Sequence, residues 1–160
     1  MRILGVDPGT ARTGFGVIEV QNSKFKVQSY GCIETPAKQL LEDRLATIYR
    51  KICAIINKEK PQVVAVEQIY FFKNAKTALS VGHARGVILL AACRAKKQIF
   101  EYTPLQVKDA VVGYGRADKN QIGQMVKFEL HLRDIPKPDD ITDALAVAIC
   151  CAASMKMEKV

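Results

Sequence analysis

The sequence has few of the features that mark membrane or secreted proteins. Its longest apolar run, from Val87 to Cys93, is far too short to span a bilayer. The N-terminal MRILGVD lacks the apolar core and the small-residue cleavage site of a signal peptide. We therefore expect a cytoplasmic protein that makes no use of a membrane.

The cysteines and histidines do not have the numbers or spacing typical of disulfide-rich proteins, zinc sites or nucleophilic catalytic sets. The five cysteines are odd in number and none are spaced as CxxC, which argues against a disulfide framework or a zinc site and favours small buried thiols. The two histidines, His83 and His131, both fall on predicted helices and are interpreted as structural. The sequence contains no recognisable Ser-His-Asp set and no Walker A motif.

Negative charge is the scarcer sign. Lysine and arginine number 24 against 16 acidic residues, a net charge of +8 in 160 residues of which 49% are hydrophobic. The length and composition predict one soluble globular domain, 1–160. A basic domain favours a polyanionic partner, usually nucleic acid, although lysines that simply solvate the surface are the alternative.

The apolar pattern predicts an α/β fold. Three antiparallel strands open the domain at 2–6, 14–20 and 24–34, and the Asp-Pro-Gly-Thr sequence at 7–10 predicts a type II turn. Two short strands are predicted at 63–66 and 99–102, the first of them apolar enough to be covered on both faces. Helices are predicted at about 38–59, 75–97, 104–112, 119–132 and 139–156, the fourth with Asp118 as its N-cap. Together these elements predict a mixed sheet with helices on its faces.

Two carboxylates stand at the ends of predicted strands. Asp7 closes the first strand and Glu67 closes the buried fourth strand. Reactive groups gather at strand ends in α/β sheets, and a charge there costs free energy unless something compensates it. The alternatives are that Asp7 bonds amides of its own turn, and that the strand has reached solvent at Glu67.

Further acids occur in the stretch PDDITDALAVAI, which begins the last predicted helix. Asp140 and Asp143 are three residues apart and share a helix face, whereas Asp139 and Asp143 are four apart and can share one too. Asp139 also suits an N-cap, and the spacing alone does not choose between it and Asp140. Like charges on one face favour a cation beside them.

Acids from separate elements that meet at one end of a sheet make an all-oxygen site. Hard divalent ions such as Mg²⁺ or Mn²⁺ prefer such ligands. Two ions about 4 Å apart can activate a water molecule and stabilise the leaving oxygen of a phosphodiester. The residues therefore predict a metal-dependent nuclease.

Four blocks of the sequence, in order, are similar to those of a known family. ILGVDPGTARTGFGVIE, VVAVEQIYFFKNAKTALSVGHARGVILLAA, QVKDAVVGYGRADKNQ and DDITDALAVAI together resemble the RuvC-type Holliday-junction resolvases, the crossover junction endodeoxyribonucleases. The resemblance implies a ribonuclease H-like fold, a homodimer and Mg²⁺ or Mn²⁺ as cofactor. It also implies paired symmetric nicks in a four-way DNA junction during recombination and repair, each leaving a 5′-phosphate.

The resemblance also assigns residues. It places the catalytic, metal-binding acids at Asp7, Glu67, Asp140 and Asp143, and it selects Asp140 over Asp139 because DxxDALA is the family spacing. Its DNA-binding positions fall on Tyr70, Lys108 and Lys119.

The aromatic stretch that follows Glu67 has several expected roles. Tyr70 replaces the phenylalanine common in the family and can stack on unpaired bases, whereas Phe71 or Phe72 is expected to pack under the loop. Lys73 is expected to contact phosphate, with simple solvation as the alternative. Arg12 stands one place later than in relatives and receives no role.

The expected dimer has a local rationale. Gly82, Ala84 and Gly86 leave a low-profile stretch on the second helix that suits contact with another helix, although burial within one domain is the alternative. A complex with a branch-migration helicase is a further expectation from the resemblance, and the sequence indicates no docking surface for it.

Two other functions compete with the nuclease. The DPGT turn also suits a nucleotide-binding protein of the actin and sugar-kinase type, but that architecture needs two such domains. A non-catalytic junction-binding module or a smaller YqgF-like protein is the other alternative, and the combined EQ, QVK and DDITDALA blocks argue against the YqgF-like protein.

Overall fold

A five-stranded mixed sheet forms the centre of the molecule. The computed structural model describes residues 1–22, 24–68 and 75–157. The strand order is β3-β2-β1-β4-β5, with β1, β2 and β3 antiparallel to one another and β4 and β5 added in parallel. The strands are β1 (Arg2–Asp7), β2 (Arg12–Gln21), β3 (Lys24–Glu34), β4 (Val63–Glu67) and β5 (Gln98–Tyr102). The predicted mixed sheet is confirmed.

Five helices cover this sheet in the described part of the chain. They are α1 (Leu41–Glu59), α2 (Ala75–Arg94), α3 (Pro104–Val112), α4 (Lys119–Glu129) and α5 (Asp139–Met157). The predicted N-cap is confirmed, because the Asp118 side chain accepts the Gln121 amide in a capping box. Helix α1 begins three residues later than predicted, since Gln39 N–H is bonded to Pro36 C=O in a preceding turn.

Strand alternation divides the apolar side chains between two layers. Leu4 and Val6 on β1 join the cluster under α1 and α2, whereas Ile3 joins the cluster on the opposite face, with residues of α3, α4 and α5. The four residues of 63–66 are at most 1% exposed, because β4 is covered on both faces as predicted.

Helix α5 lies directly against the backbone of the sheet at two glycines. A Cβ atom on Gly5 would be 2.1 Å from the carbonyl oxygen of Ala144, and one on Gly14 would be 1.8 Å from that of Asp140. Only glycine permits so close an approach. The backbone of α5 therefore lies in direct contact with that of β1 and β2 at these two positions.

The loop between β1 and β2 corrects the predicted type II turn. That turn needs a positive φ at Gly9, and Gly9 does not have one. The loop closes over a longer span instead: Thr13 Oγ1 donates to Gly9 C=O at 2.6 Å. A Cβ on Gly9 would lie 2.2 Å from Arg12 O, so glycine is required by close contact rather than by turn type.

The placement of His131 on a helix is wrong. Helix α4 ends at Glu129, and His131 has a left-handed φ of 51°. Leu132 N–H bonds to Lys127 C=O and His131 N–H to Phe128 C=O, the paired bonds of a Schellman motif. The apolar Leu132 continues the helical pattern in sequence although the backbone has already turned.

Two further expectations are corrected in part. Cys150 and Cys151 are buried as predicted, but Cys93 is exposed; all five cysteines are free. Ala84 is fully buried in its own subunit, whereas Gly86 faces open space. Within the described residues, none of the helices has the length and apolarity needed to cross a bilayer.

Candidate active site

Asp7 and Glu67 lie side by side at the same end of the sheet. Strands β1 and β4 are parallel, with Val6 paired to Val66, so the next residue of each strand is an acid. Alternation points both side chains toward the face that α5 covers. The two carboxyl groups lie within hydrogen-bonding contact of each other.

Helix α5 brings two more acids to this pair. Asp140 is fixed by the contact of its backbone with Gly14, the residue of β2 that is paired with Asp7. Asp143 is one turn further along and is buried more deeply than Asp139, whose side chain is 46% exposed. All four predicted acids therefore meet at one site, as the electrostatic coupling among them also shows.

Burial and mutual repulsion raise the pKa values of Asp7, Glu67 and Asp143. Burial, followed by the charges of Glu67 and Asp143, holds the pKa of Asp7 well above its usual range. Burial, then Asp143, raises the pKa of Glu67 to about 7, against the lowering effect of the Asp7 hydrogen bond and of nearby lysines. Burial also raises the pKa of Asp143. The site therefore favours protons or cations over bare negative charge.

Protein cations contact the acids of α5 from two sides. Arg12 Nη1 is 3.8 Å from Asp140 Oδ2, and Lys119 Nζ is 3.7 Å from Asp143 Oδ2. Lys119 Nζ is also 3.8 Å from Asp139 Oδ2, but the main partner of Asp139 is Lys137, whose Nζ donates to Oδ1 at 2.6 Å. Asp139 is therefore held outside the buried set, and Lys137 lowers its pKa.

The donor chemistry fits a hard divalent cation. The side chains do not form a closed coordination shell as they stand, since no group of three or more His, Cys, Asp or Glu among residues 1–22, 24–68 and 75–157 could hold an ion. The raised pKa values of Asp7 and Glu67 favour their protonated forms, and Arg12 and Lys119 lie beside the two acids of α5. A divalent cation supplies the same compensation to an all-carboxylate set.

Two of the three lysines predicted to contact DNA flank this site. Lys119 begins α4 and faces Asp143. Lys108 donates from Nζ to the carbonyl oxygen of Ala117 at 2.8 Å, and its charge lowers the pKa of Glu67. Lys108 thus ties α3 to the loop that positions Lys119. Tyr70, Phe71, Phe72 and Lys73 lie outside the described residues.

Two clefts border the carboxylates. One, of about 230 Å³, is lined by Lys119, Lys137, Asp139 and Asp143 among others. The other, of about 400 Å³, lies between the β1–β2 loop and α2, with Asp7, Thr10, Arg12, Ser80 and Asp140 on its walls. Each cleft therefore has a cation paired with an acid at its edge.

Comparison with known proteins identifies the family. The family described as Crossover junction endodeoxyribonuclease RuvC matches residues 3–151. The chain belongs to the RuvC family. The RuvC protein of Alkaliphilus oremlandii is 58% identical over 152 residues, covering 95% of this chain and 93% of its own. That of Heliobacterium modesticaldum is 57% identical, covering 97% and 96%.

A solved RuvC structure gives the same fold. Thermus thermophilus RuvC in complex with a Holliday junction substrate superposes with a TM-score of 0.94 at 32% identity, covering 99% of this chain and 96% of that one. The chain therefore has the ribonuclease H-like fold of RuvC and is a crossover junction endodeoxyribonuclease, a metal-dependent nuclease. The resemblance of its sequence blocks to this family is confirmed.

Sequence reasoning left parts of the RuvC site unassigned. The pairing of Arg12 with Asp140 and the hydrogen bond of 2.6 Å between the Thr10 and Ser80 hydroxyls join residues far apart in the chain. No spacing rule reaches across such distances. The only local signal was the position of Arg12, two residues before the glycine on which α5 rests.

Proposed function

We propose that this nuclease resolves four-way DNA junctions with Asp7, Glu67, Asp140 and Asp143 as its catalytic, metal-binding residues. The observation that carries the proposal is the buried, hydrogen-bonded pair Asp7–Glu67 facing two acids of α5. Such a concentration of carboxyl groups destabilises the folded protein unless cations bind there. A structural role alone gives no reason to retain it.

The proposed cofactor is Mg²⁺, which Mn²⁺ can replace, with two ions in each active site. The four acids would hold them, because carboxylates are the preferred protein ligands of both metals. When bound, such ions supply Lewis acidity that activates water and stabilises the leaving oxygen of a phosphodiester. In-line attack by water leaves a 5′-phosphate.

The residues of the chain prepare this chemistry. Asp7 and Glu67, whose raised pKa values favour protonation in the metal-free protein, would lose their protons when cations bind. Their strands keep the two carboxylates at a fixed separation. Lys119 and Lys108 lie next to the acids and favour the arrival of a phosphate. Lys73 is proposed as a further phosphate contact and Tyr70 as a stacking platform for an unpaired base.

A homodimer would place two such sites on opposing strands of a four-way junction. The face of α2 away from the sheet supports this proposal: Leu79 is 66% exposed, Leu90 is 52% exposed, and Gly86 between them leaves open space. Leu79, Gly86 and Leu90 repeat at helical spacing along one exposed face, on which the exposed His83 also lies; we call this face the α2 stripe. A stripe of this kind suits packing against its own symmetry copy.

The proposal also covers the location of the enzyme, its domain organisation and a protein partner. We place the enzyme in the cytoplasm, which agrees with five free cysteines, and treat the whole chain as one nuclease domain. A branch-migration helicase remains part of the proposal from family resemblance.

The decisive experiment separates cleavage from binding with Asp7→Asn. In Mg²⁺, nicking of a synthetic four-way junction should fall by at least about 100-fold, because transition-state stabilisation of several kcal/mol is removed. Binding of the same junction in Ca²⁺ should persist. Asp139→Asn, at the exposed acid beside the site, is the matched control and should cleave at close to the normal rate. Nicking by Asp7→Asn at the normal rate would refute the assignment.

A further inference from the structure

Arg12 is the one guanidinium that forms an ion pair with the four acids in the described part of the chain. Its Nη1 is 3.8 Å from Asp140 Oδ2, and its side chain is 53% exposed. An ion pair this long and this open is weak, because water screens it and two flexible groups must be held in place. Arg12 can therefore leave Asp140 at small cost.

The cleft beside Arg12 offers that side chain a second partner. It has a volume of about 400 Å³ and runs from the carboxylates to the hydroxyl pair of Thr10 and Ser80. Guanidinium and hydroxyl groups together suit a phosphate, since both donate hydrogen bonds to its oxygens. The lining of the cleft also includes Pro8, Ala11 and Val81, so its hydrogen-bond donors are concentrated at Arg12 and at the Thr10–Ser80 pair.

The position of this cleft relates it to the path of a DNA strand. It borders Asp7 and Asp140, whereas the Lys119 cleft borders Asp143 on the other side. A strand whose scissile phosphate lies at the four acids must continue away from them in both directions. Lys119 then lies on one side of the cleaved bond and Arg12 on the other.

We propose that Arg12 exchanges partners when DNA binds: it neutralises Asp140 in the free protein and moves to a phosphate of the bound strand in the Thr10–Ser80 cleft. Asp140 is then released to the divalent cation. The inference rests on the proposed function, because it takes Asp140 as a metal ligand. It goes further in making metal binding and DNA binding depend on each other through one side chain.

This exchange predicts opposite effects of removing the guanidinium. Without DNA, Arg12→Gln frees Asp140 and should tighten Mn²⁺ binding about 2–5-fold, the range expected for an exposed ion pair. With DNA, the variant lacks one phosphate contact, so the slope of log K against log salt concentration should fall by about one. Arg12→Lys keeps the charge and should stay close to the normal protein in both measurements.

The coupling between the two ligands is the sharpest readout. Linkage requires that DNA strengthen metal binding by the same factor by which metal strengthens DNA binding. We would measure junction affinity with and without Ca²⁺, in which cleavage is suppressed, and Mn²⁺ binding alone by titration calorimetry. The factor by which Ca²⁺ improves junction binding should shrink in Arg12→Gln and not in Arg50→Gln, an exposed arginine of α1 that supplies the matched loss of charge.

Each outcome of these titrations bears on the proposal. Unchanged or weaker Mn²⁺ binding by Arg12→Gln would overturn it, and so would an unchanged salt slope. None of the measurements requires cleavage, so an error in the assignment of the catalytic acids would appear in the Asp7→Asn assay instead. If Mn²⁺ binding tightens by the same factor in Arg12→Gln and in Arg50→Gln, the change reflects the overall charge of the protein. That result would also overturn the proposed exchange.

Discussion

The carboxyl groups of Asp7 and Glu67 lie within hydrogen-bonding contact of each other across two adjacent parallel strands. Two acids in such contact share a proton more readily than they share negative charge, and burial adds to the effect. The protonation of Asp7 and Glu67 therefore affects both the stability of the metal-free protein and its affinity for cations.

The first prediction concerns stability against pH in EDTA. Because folding raises the pKa of Glu67 from 4.5 to about 7, its contribution to stability is fully present below pH 4.5 and is lost as pH rises through 7. The free energy of unfolding should fall over this window by on the order of 1–3 kcal/mol. Denaturant titrations at pH 5, 6, 7 and 8 measure it.

Variants and metal supply the controls for this pH effect. Glu67→Gln, which cannot ionise, should remove the part of the fall that Glu67 contributes and leave the part due to Asp7, whose pKa burial also raises, whereas Asp139→Asn at an exposed acid should leave the whole fall in place. Added Mg²⁺ should restore stability above pH 7, since it binds the deprotonated site. A wild-type curve that rises between pH 5 and 7 would contradict the account.

The second prediction separates Lys108 and Lys119, the two described lysines that we propose bind DNA. Lys119→Met and Lys108→Met should each lower the salt slope of junction binding by about one, as expected for a lost phosphate contact. Lys108→Met should also lower stability by about 1 kcal/mol, because the bond to the Ala117 carbonyl is lost. Fluorescence anisotropy over a salt series and thermal melts measure the two effects.

An exposed lysine away from the site completes this comparison. Lys58, near the end of α1, has an 81% exposed side chain, so Lys58→Met should change neither the slope nor the melting temperature. An unchanged slope in Lys119→Met would remove that residue from the DNA-binding set. Equal stability of Lys108→Met and the normal protein would contradict the role of Lys108 in anchoring the loop.

The third prediction tests the contact between α5 and β2. Gly14→Ala places a Cβ where the Asp140 carbonyl oxygen already lies, so α5 must move away from the sheet. Such overpacking should cost about 1–3 kcal/mol of unfolding free energy and displace Asp140, with a large loss of nicking. Gly86→Ala, into open space on a helix, should be neutral or stabilising at low protein concentration. Full activity in Gly14→Ala would show that the site tolerates this displacement.

The fourth prediction concerns the α2 stripe. Leu90→Glu places a charge on the proposed symmetric contact and should shift the protein from dimer to monomer in sedimentation velocity. Leu105→Glu changes a 58% exposed leucine of α3 instead and should leave the dimer intact. With junction DNA, loss of the dimer should turn paired nicks into single ones. Identical sedimentation of Leu90→Glu and the normal protein would place the interface elsewhere.

The sequence predicted the structure best where the conformation of a segment depends on residues that are near in the chain. The apolar run that ends in Glu67 predicted a strand covered on both faces with an acid at its end. Asp118 predicted the N-cap at which helix α4 begins. These signals are local, so the structure agrees with them. The roles of Tyr70 and Lys73 remain predictions.

The errors arose where distant contacts decide local conformation. Pro8-Gly9 has the composition of a type II turn, but Gly9 lacks the positive φ of that turn and its carbonyl oxygen accepts a hydrogen bond from the Thr13 hydroxyl. His131 follows an amphipathic pattern that Leu132 continues, although the helix has already ended in a left-handed residue. The pairing of Arg12 with Asp140 had no signal in the sequence, since it depends on how α5 lies on the sheet.

The strand order has a consequence for how the protein loses function on unfolding. Strands β1 and β4 are adjacent inner strands of the sheet, whose order is β3-β2-β1-β4-β5. Strands β2 and β3 lie on one side of this pair and β5 lies on the other. Local fraying begins at sheet edges, and the innermost backbone amides exchange with solvent only when the whole domain opens. The ends that present Asp7 and Glu67 belong to that last-opening segment. Partial denaturation should therefore remove the outer elements first, and the capacity to bind cations should disappear together with the slowest-exchanging amides.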